Sequence, residues 1–93
     1  MKIIQSAWFK KAVKKLRTNQ KEDLDKAITA IIEDPRIGKE KIADLSGIRV
    51  HKFKMNKQLT LLAYSYNCHE IVLTLLQVGS HQNFYDDLKR GYV

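Results

Sequence analysis

The sequence predicts an α+β domain: an N-terminal helical hairpin packed on a four-stranded, mainly antiparallel sheet, followed by a short C-terminal helix. Residues 6–34 carry apolar side chains at helical spacing in two blocks, and residues 47–78 carry three apolar stretches separated by turn residues. Two amphipathic helices joined by a short link form a hairpin, and a sheet covers its apolar face. The 93 residues are expected to form a single domain, 1–93.

Capping residues and proline set the predicted ends of the two helices. Ser6 is a good N-cap for a first helix that ends near Arg17. Asn19 and Glu22 have the spacing of a capping box for the second helix, which ends near Asp34 because the following proline disfavours helical backbone before it. The apolar side chains of the two helices are Ala7, Trp8, Ala12, Val13 and Leu16, then Leu24, Ala27, Ile28, Ile31 and Ile32.

The sheet is predicted from four apolar stretches and the turns between them. The strands are an edge strand at 2–5, a strand that begins after Gly47, Leu59–Tyr66 and Ile71–Val78. The second strand of this meander is apolar almost throughout, as expected of a strand covered on both faces. Turns are predicted at 56–58 and 67–69. Ser80 is the expected N-cap of a last helix that runs through Leu88.

Charge and cysteine content narrow the class of protein. The chain carries 17 Lys and Arg against 10 Asp and Glu, a net charge of +7, which favours an anionic partner: nucleic acid, an acidic protein or an anionic membrane. Cys68 is the only cysteine, which suits a reducing compartment. The sequence shows neither a signal peptide nor an apolar run of the roughly 20 residues that span a bilayer. We expect a soluble cytoplasmic protein that does not bind membranes.

The motifs of several common sites are missing from the sequence. Cys68, His69, His51 and His81 lack the spacing of a zinc site. The four glycines are scattered, so no phosphate-binding loop is predicted, and the serines are not in the context of a nucleophile elbow. We therefore expect no metal and no cofactor.

Phosphate chemistry remains, and the residues suited to it lie on the first meander strand and after the last one. Ile48 and Val50 point to one face of the first strand, and Arg49 and His51 to the other. Arg49 offers a planar fork for phosphate, while an imidazole with a pKa near 6.5 serves as acid or base. Lys52 and Lys54 are further candidates on the same strand, although alternation places them on the face opposite Arg49 and His51. The last two candidates are His81 and Tyr85, which follow the last strand. Ordinary surface histidines are the alternative interpretation.

Three segments give the chain a resemblance to a known family: LSGIRVHKF at 45–53, LLAY at 61–64 and VGSHQNFY at 78–85. Together with the order of elements, they resemble the RelE/ParE superfamily of toxins from type II toxin–antitoxin pairs, in particular its YafQ-type and ParE-like subgroups. The resemblance implies a RelE-like fold and a cognate antitoxin as partner. RelE has an arginine three residues before the tyrosine of its central strand, where this chain and YafQ-type members have an apolar residue, here Leu61 before Tyr64. The acidic residue and further histidine of YafQ-type members have no counterpart near Lys57 and Gln58.

The resemblance implies two alternative activities. One is ribosome-dependent cleavage of messenger RNA by attack of the 2′-OH, and the other is inhibition of DNA gyrase without catalytic residues. For cleavage, which we favour, His81 is the expected general acid and His51 the general base. Arg49 with Lys52 or Lys54 would hold the phosphate, and Tyr85 would stack on a base. A third interpretation is a non-toxic nucleic-acid-binding module that uses the basic face of residues 10–17.

Overall fold

The computed structural model describes residues 1–80 and 84–92 and confirms the α+β class. The elements are β1 Lys2–Gln5, α1 Ala7–Lys14, α2 Thr18–Glu33, β2 Lys39–Glu40, a 3-10 turn at Ala43–Leu45, β3 Arg49–Met55, β4 Gln58–Asn67, β5 Val72–Ser80 and α3 Phe84–Tyr92. The sheet has the strand order β1-β5-β4-β3-β2. The prediction of four strands is therefore wrong, because the sheet has a fifth strand, β2. The sheet is also mixed, because β1 lies parallel to β5 while the other pairs are antiparallel.

Both helices of the hairpin form, with ends that differ from the prediction. Ser6 caps α1 as predicted: its Oγ accepts a hydrogen bond from the Phe9 amide at 3.0 Å and donates one to the Leu76 carbonyl at 2.7 Å. The cap thus also ties α1 to β5. Helix α2 begins at Thr18, before the predicted cap Asn19. The reason is that the Arg17 amide donates to Gln20 Oε1 at 2.8 Å, which caps the helix two residues earlier.

The helical hairpin packs on one face of the sheet. The buried residues of this hairpin-side cluster are Phe9, Leu24, Ala27, Ile31, Met55, Leu62, Tyr64, Leu73, Leu75 and Val78. The predicted stripe is confirmed at Leu24 and Ile31, whereas Trp8 stays 40% exposed and Ile32 37% exposed. Full burial of a large aliphatic or aromatic side chain contributes about 1.5–3 kcal/mol, so this cluster supplies much of the stability.

Helix α3 covers the opposite face of the sheet. Its buried cluster contains Leu45, Ile48, Val50, Leu61, Ala63, Phe84 and Leu88. Strand β4 therefore has a layer on each side, which explains why Leu61 and Leu62 are both fully buried. The predicted cap at Ser80 is wrong, because Ser80 is the last residue of β5 and pairs with Thr60. None of the helices in the described ranges is long and apolar enough to cross a membrane.

The connector from α2 to β3, residues 34–48, is held by a buried tyrosine. The Tyr64 hydroxyl donates to the Pro35 carbonyl at 2.7 Å and accepts from the Gly38 amide at 2.8 Å. Burial raises the pKa of Tyr64, so the hydroxyl stays protonated and able to donate at neutral pH. The connector then forms β2 against the start of β3, with Lys39 opposite Val50 and Glu40 opposite Arg49. This two-residue strand is the one that the sequence did not predict.

Candidate functional site

The alternation of β3 divides the predicted site residues between the two faces of the sheet. Arg49 pairs with Tyr64 and His51 with Leu62, and both partners belong to the hairpin-side cluster. Side chains alternate along a strand, so Lys52 and Lys54 point to the α3 face together with Val50. Both lysines are exposed. The structure therefore does not bring Arg49 and His51 to the same face as the two lysines.

Arg49 uses its guanidinium to hold the connector. Nη1 donates to the Gly38 carbonyl at 2.8 Å and to the Arg36 carbonyl at 3.4 Å, and Nη2 lies 3.8 Å from Glu40 Oε2. The side chain is only 27% exposed. These contacts give the guanidinium a structural role in the connector, and a phosphate-binding role for it stays a prediction. The sequence contained no sign of this role, because the acceptors are main-chain carbonyls.

His51 is half-buried and stacks on Phe53, with ring centroids 6.1 Å apart and an interplanar angle of 8°. Burial lowers the pKa of His51 below its ordinary value, since the charged form loses hydration. The imidazole is therefore neutral at pH 7, the form that accepts a proton. His51 also borders a cavity of about 360 Å³ on the outer side of β3, which it shares with Lys52 and Lys41.

The lowered pKa of His51 predicts how stability depends on pH. The unfolded chain binds the proton more tightly than the folded chain, so stability is full above the ordinary histidine pKa of about 6.5 and falls as the pH decreases through it. Urea unfolding at pH 8, 6.5 and 5 should show this fall, and His51→Gln should make it shallower. His69→Gln, in an exposed turn, is the matched control. If the dependence of the free energy of unfolding on pH is the same in His51→Gln as in wild type, the lowered pKa of His51 is not its cause.

Lysines from three elements form a basic surface on the α3 side of the molecule. Lys39 lies opposite Val50, and the Lys41 amide donates to the Ile48 carbonyl at 2.9 Å, so both follow the register of the α3-side cluster. Lys89 comes from α3 itself. We name this set the α3-side basic surface: Lys39, Lys41, Lys52, Lys54 and Lys89. The sequence analysis did not include Lys39 and Lys41 among the candidate site residues; the alternation Lys39-Glu40-Lys41 is the pattern that would have indicated a strand with two lysines on one face.

Tyr85 joins this surface through Lys41. The Lys41 Nζ lies 5.0 Å from the centroid of the Tyr85 ring, within the range of a cation–π interaction. Both residues line a cleft of about 330 Å³ between the 3-10 turn and α3, with Ile42, Ala43, Leu45 and Lys89. His51 does not line this cleft, so the structure places the predicted base and the predicted stacking ring in adjacent cavities. Lys41 lines both of them.

His81, the predicted general acid, lies outside the described residues. The flanking residues are defined: Ser80 ends β5, and Phe84 begins α3 and is buried on the α3 face. Within residues 1–80 and 84–92, no group of three or more His, Cys, Asp or Glu side chains is arranged to hold a metal ion.

The fold and the sequence together define the class of protein. The family model for the ParE-like toxin of type II bacterial toxin–antitoxin systems matches residues 3–89. The chain therefore belongs to this family of toxins, within the RelE/ParE superfamily. No curated protein is significantly similar to the chain in sequence.

Solved structures share the fold at low sequence identity. A free mutant of the Escherichia coli toxin RelE superposes with a TM-score of 0.74 at 20% identity, covering 99% of this chain and 97% of that one. The toxin in the intact Escherichia coli RelBE toxin–antitoxin complex gives 0.70 at 22% identity, covering 87% and 96%. A conserved hypothetical protein from Helicobacter pylori gives 0.53 at 17% identity, covering 87% and 94%. The fold is thus RelE-like.

Proposed function

We propose that this toxin is a ribosome-dependent endoribonuclease that cleaves messenger RNA without a metal ion. The observation that carries the proposal is the α3-side basic surface, in which Lys41 and Lys89 line the Tyr85 cleft and Lys39, Lys41 and Lys52 line the adjacent cavity. Phosphates bind ammonium groups, and unpaired bases stack on aromatic rings, so this surface suits single-stranded RNA. The RelE-like fold and the resemblance in segments 45–53, 61–64 and 78–85 support the same activity.

The proposed reaction is a transfer of the phosphate from the 5′ oxygen to the neighbouring 2′ oxygen. The 2′ oxygen attacks phosphorus as a base removes its proton, and the bond to the 5′ oxygen breaks as an acid protonates that oxygen. Neutral His51 would be the base, acting at the sheet edge in the cavity that it shares with Lys52, and His81 would be the acid. Lys52 and Lys54 would stabilise the negative charge that grows on the phosphoryl oxygens, and Tyr85 would orient a base. Arg49, held by the connector, is left out of this set.

We propose a cognate antitoxin as the second partner of the chain. The RelE toxin has been solved with its antitoxin RelB and with a RelB peptide. The net charge of +7 favours an acidic antitoxin segment, and the five lysines of the α3-side basic surface are the charges that such a segment would neutralise. An antitoxin that covers this surface would block access of RNA to it.

The proposal is tested by expressing the chain from an inducible promoter and comparing wild type with His81→Ala. Wild type should arrest growth and yield truncated messenger RNA, and both effects should vanish in His81→Ala because the leaving oxygen loses its acid. His69→Ala, in an exposed turn, is the matched control and should behave as wild type.

Other outcomes identify the alternative activities. Arrest that survives His81→Ala, with a DNA damage response and intact messenger RNA, would contradict the proposal and indicate gyrase inhibition. Absence of arrest in the wild type, with salt-sensitive binding to nucleic acid that depends on the basic face of α1, would indicate a non-toxic binding module.

A further inference from the structure

We propose that Lys41 is a substrate-binding residue, whose ammonium holds a phosphate of the RNA at the rim of the Tyr85 cleft. This inference rests on the proposed function, because it names the subsite that the RNA would occupy beside the reacting bond. In it, the Lys41 ammonium binds a phosphate of the RNA, the role that the sequence suggested for Arg49. The base attached to that phosphate occupies the space between the 3-10 turn and α3.

The backbone of Lys41 is fixed at a defined position. Its amide donates to the Ile48 carbonyl, extending the β2–β3 ladder by one residue. The turn that follows is anchored from below by Leu45, 5% exposed, and by Ile48, fully buried. The main chain therefore holds Lys41 at the rim of the cleft, while its flexible stem lets the ammonium move from the Tyr85 ring toward a phosphate.

The walls of the cleft have the chemistry of a nucleotide subsite. Ile42, Ala43 and Leu45 supply apolar surface on one side, and Tyr85 supplies an aromatic ring on the other. Lys41 and Lys89 line the same cleft, and its volume of about 330 Å³ is in the range of small-molecule sites. An aromatic ring and aliphatic side chains beside two lysines favour a nucleotide over an acidic peptide, whose carboxylates would leave the apolar walls unused.

The turn is shaped in a way that costs free energy, which is common at binding sites. Ala43 has φ +58°, a left-handed conformation that costs a residue other than glycine about 1 kcal/mol. The turn also leaves Ile42 84% exposed at the lip of the cleft. The α3-side cluster beneath the turn offsets this cost, and a base in the cleft would cover part of the exposed Ile42 side chain.

Lys41 lies between the Tyr85 cleft and the cavity beside His51, and it lines both. It lies over the Tyr85 ring on one side and lines the cavity of His51 and Lys52 on the other. A phosphate at this ammonium would place its own nucleotide beside Tyr85 and the adjoining one beside β3. The geometry thus assigns a path for the RNA from the cleft to the cavity at the edge of β3, which Lys52 lines from the α3 face and His51 from the opposite face.

The test measures binding of a fluorescent RNA hexanucleotide with 2′-O-methyl groups throughout, which removes the attacking hydroxyls and separates binding from cleavage. Lys41→Met should weaken binding about tenfold at low salt. It should also reduce the slope of log K against log salt by about 0.7, the change for one phosphate contact on a single strand. Lys26→Met removes the same charge from the exposed surface of α2 and should change binding less than twofold. Thermal unfolding of each variant confirms that the fold is retained.

Equal weakening by Lys41→Met and Lys26→Met would overturn the inference, since only long-range charge would then matter. Loss of acidic-peptide binding in Lys41→Met while RNA binding stays unchanged would also overturn it and assign Lys41 to a protein partner. The inference fails alone if wild type cleaves messenger RNA and Lys41→Met binds the RNA normally. The proposed function fails alone if RNA binding depends on Lys41 but messenger RNA stays intact.

Discussion

Gly38→Ala is expected to lower the free energy of unfolding by about 3 kcal/mol, among the largest effects of any single substitution in the chain. A Cβ atom at position 38 would lie 2.6 Å from the Tyr64 hydroxyl and 2.7 Å from a ring carbon. Tyr64 is fully buried and cannot move aside without breaking its hydrogen bonds to Pro35 and Gly38. Urea unfolding of the purified domain measures the loss, and the same change should loosen the carbonyl that Arg49 holds.

Two variants serve as controls for the Gly38 result. Gly79→Ala introduces a Cβ that would meet a Phe84 ring carbon at 3.7 Å, an ordinary contact, so its stability should stay within about 0.5 kcal/mol of wild type. Tyr64→Phe keeps the ring and removes the hydroxyl, so it should cost about 2 kcal/mol by leaving the Gly38 amide unpaired. If Gly38→Ala does not fold, Tyr64→Phe still measures the contribution of the Tyr64 hydroxyl to stability. A Gly38→Ala stability equal to that of Gly79→Ala would contradict this account of the connector.

Removal of Lys52 and Lys54 together is expected to reduce messenger RNA cleavage on the ribosome by about a hundredfold or more. A single preorganised group that stabilises transition-state charge is worth about 10²–10³ in rate, and these two ammoniums are the proposed source of that stabilisation. Both side chains are exposed, so the double change to Met should leave the fold intact. Cleavage of a defined message on purified ribosomes measures the effect.

The matched control for the lysine pair is on the opposite side of the molecule. Lys10→Met with Lys14→Met removes the same charge from the exposed surface of α1, which packs on the other face of the sheet. This pair should change the rate less than threefold, an effect of net charge alone. A larger loss of cleavage rate in the α1 double variant than in the β3 double variant would indicate that the RNA binds at α1, and would contradict the proposed site.

The elements that the sequence predicted well are those whose signal is local. The 3.6-residue period of α2 and the unbroken apolar run of β4 each reflect the layer that covers the element, so both could be read without knowing the partner. The alternation of β3 likewise placed Ile48 and Val50 on one face and Arg49 and His51 on the other, as the two clusters confirm. The start of α2 was predicted less well, because the hydrogen bond from the Arg17 amide to the Gln20 side chain places the N-cap at Arg17 and not at Asn19.

The features that the sequence did not reveal depend on tertiary contacts. Strand β2 has two charged residues, Lys39 and Glu40, and its only reason to be a strand is the edge of β3 beside it. The contacts of Arg49 with two carbonyls depend on where the connector passes, which no motif encodes. For the same reason, the sequence could not show that Lys41 would reach Tyr85, which lies 44 positions further along the chain.

Binding of RNA on the α3 face of the sheet can be tested by the backbone amide shifts of the isotope-labelled domain. Titration with the 2′-O-methyl hexanucleotide should perturb amides in 39–45, in β3 and in α3, and should leave those of α1 and the first half of α2 unchanged. Shifts concentrated in residues 7–20, with β3 and α3 unaffected, would contradict the account.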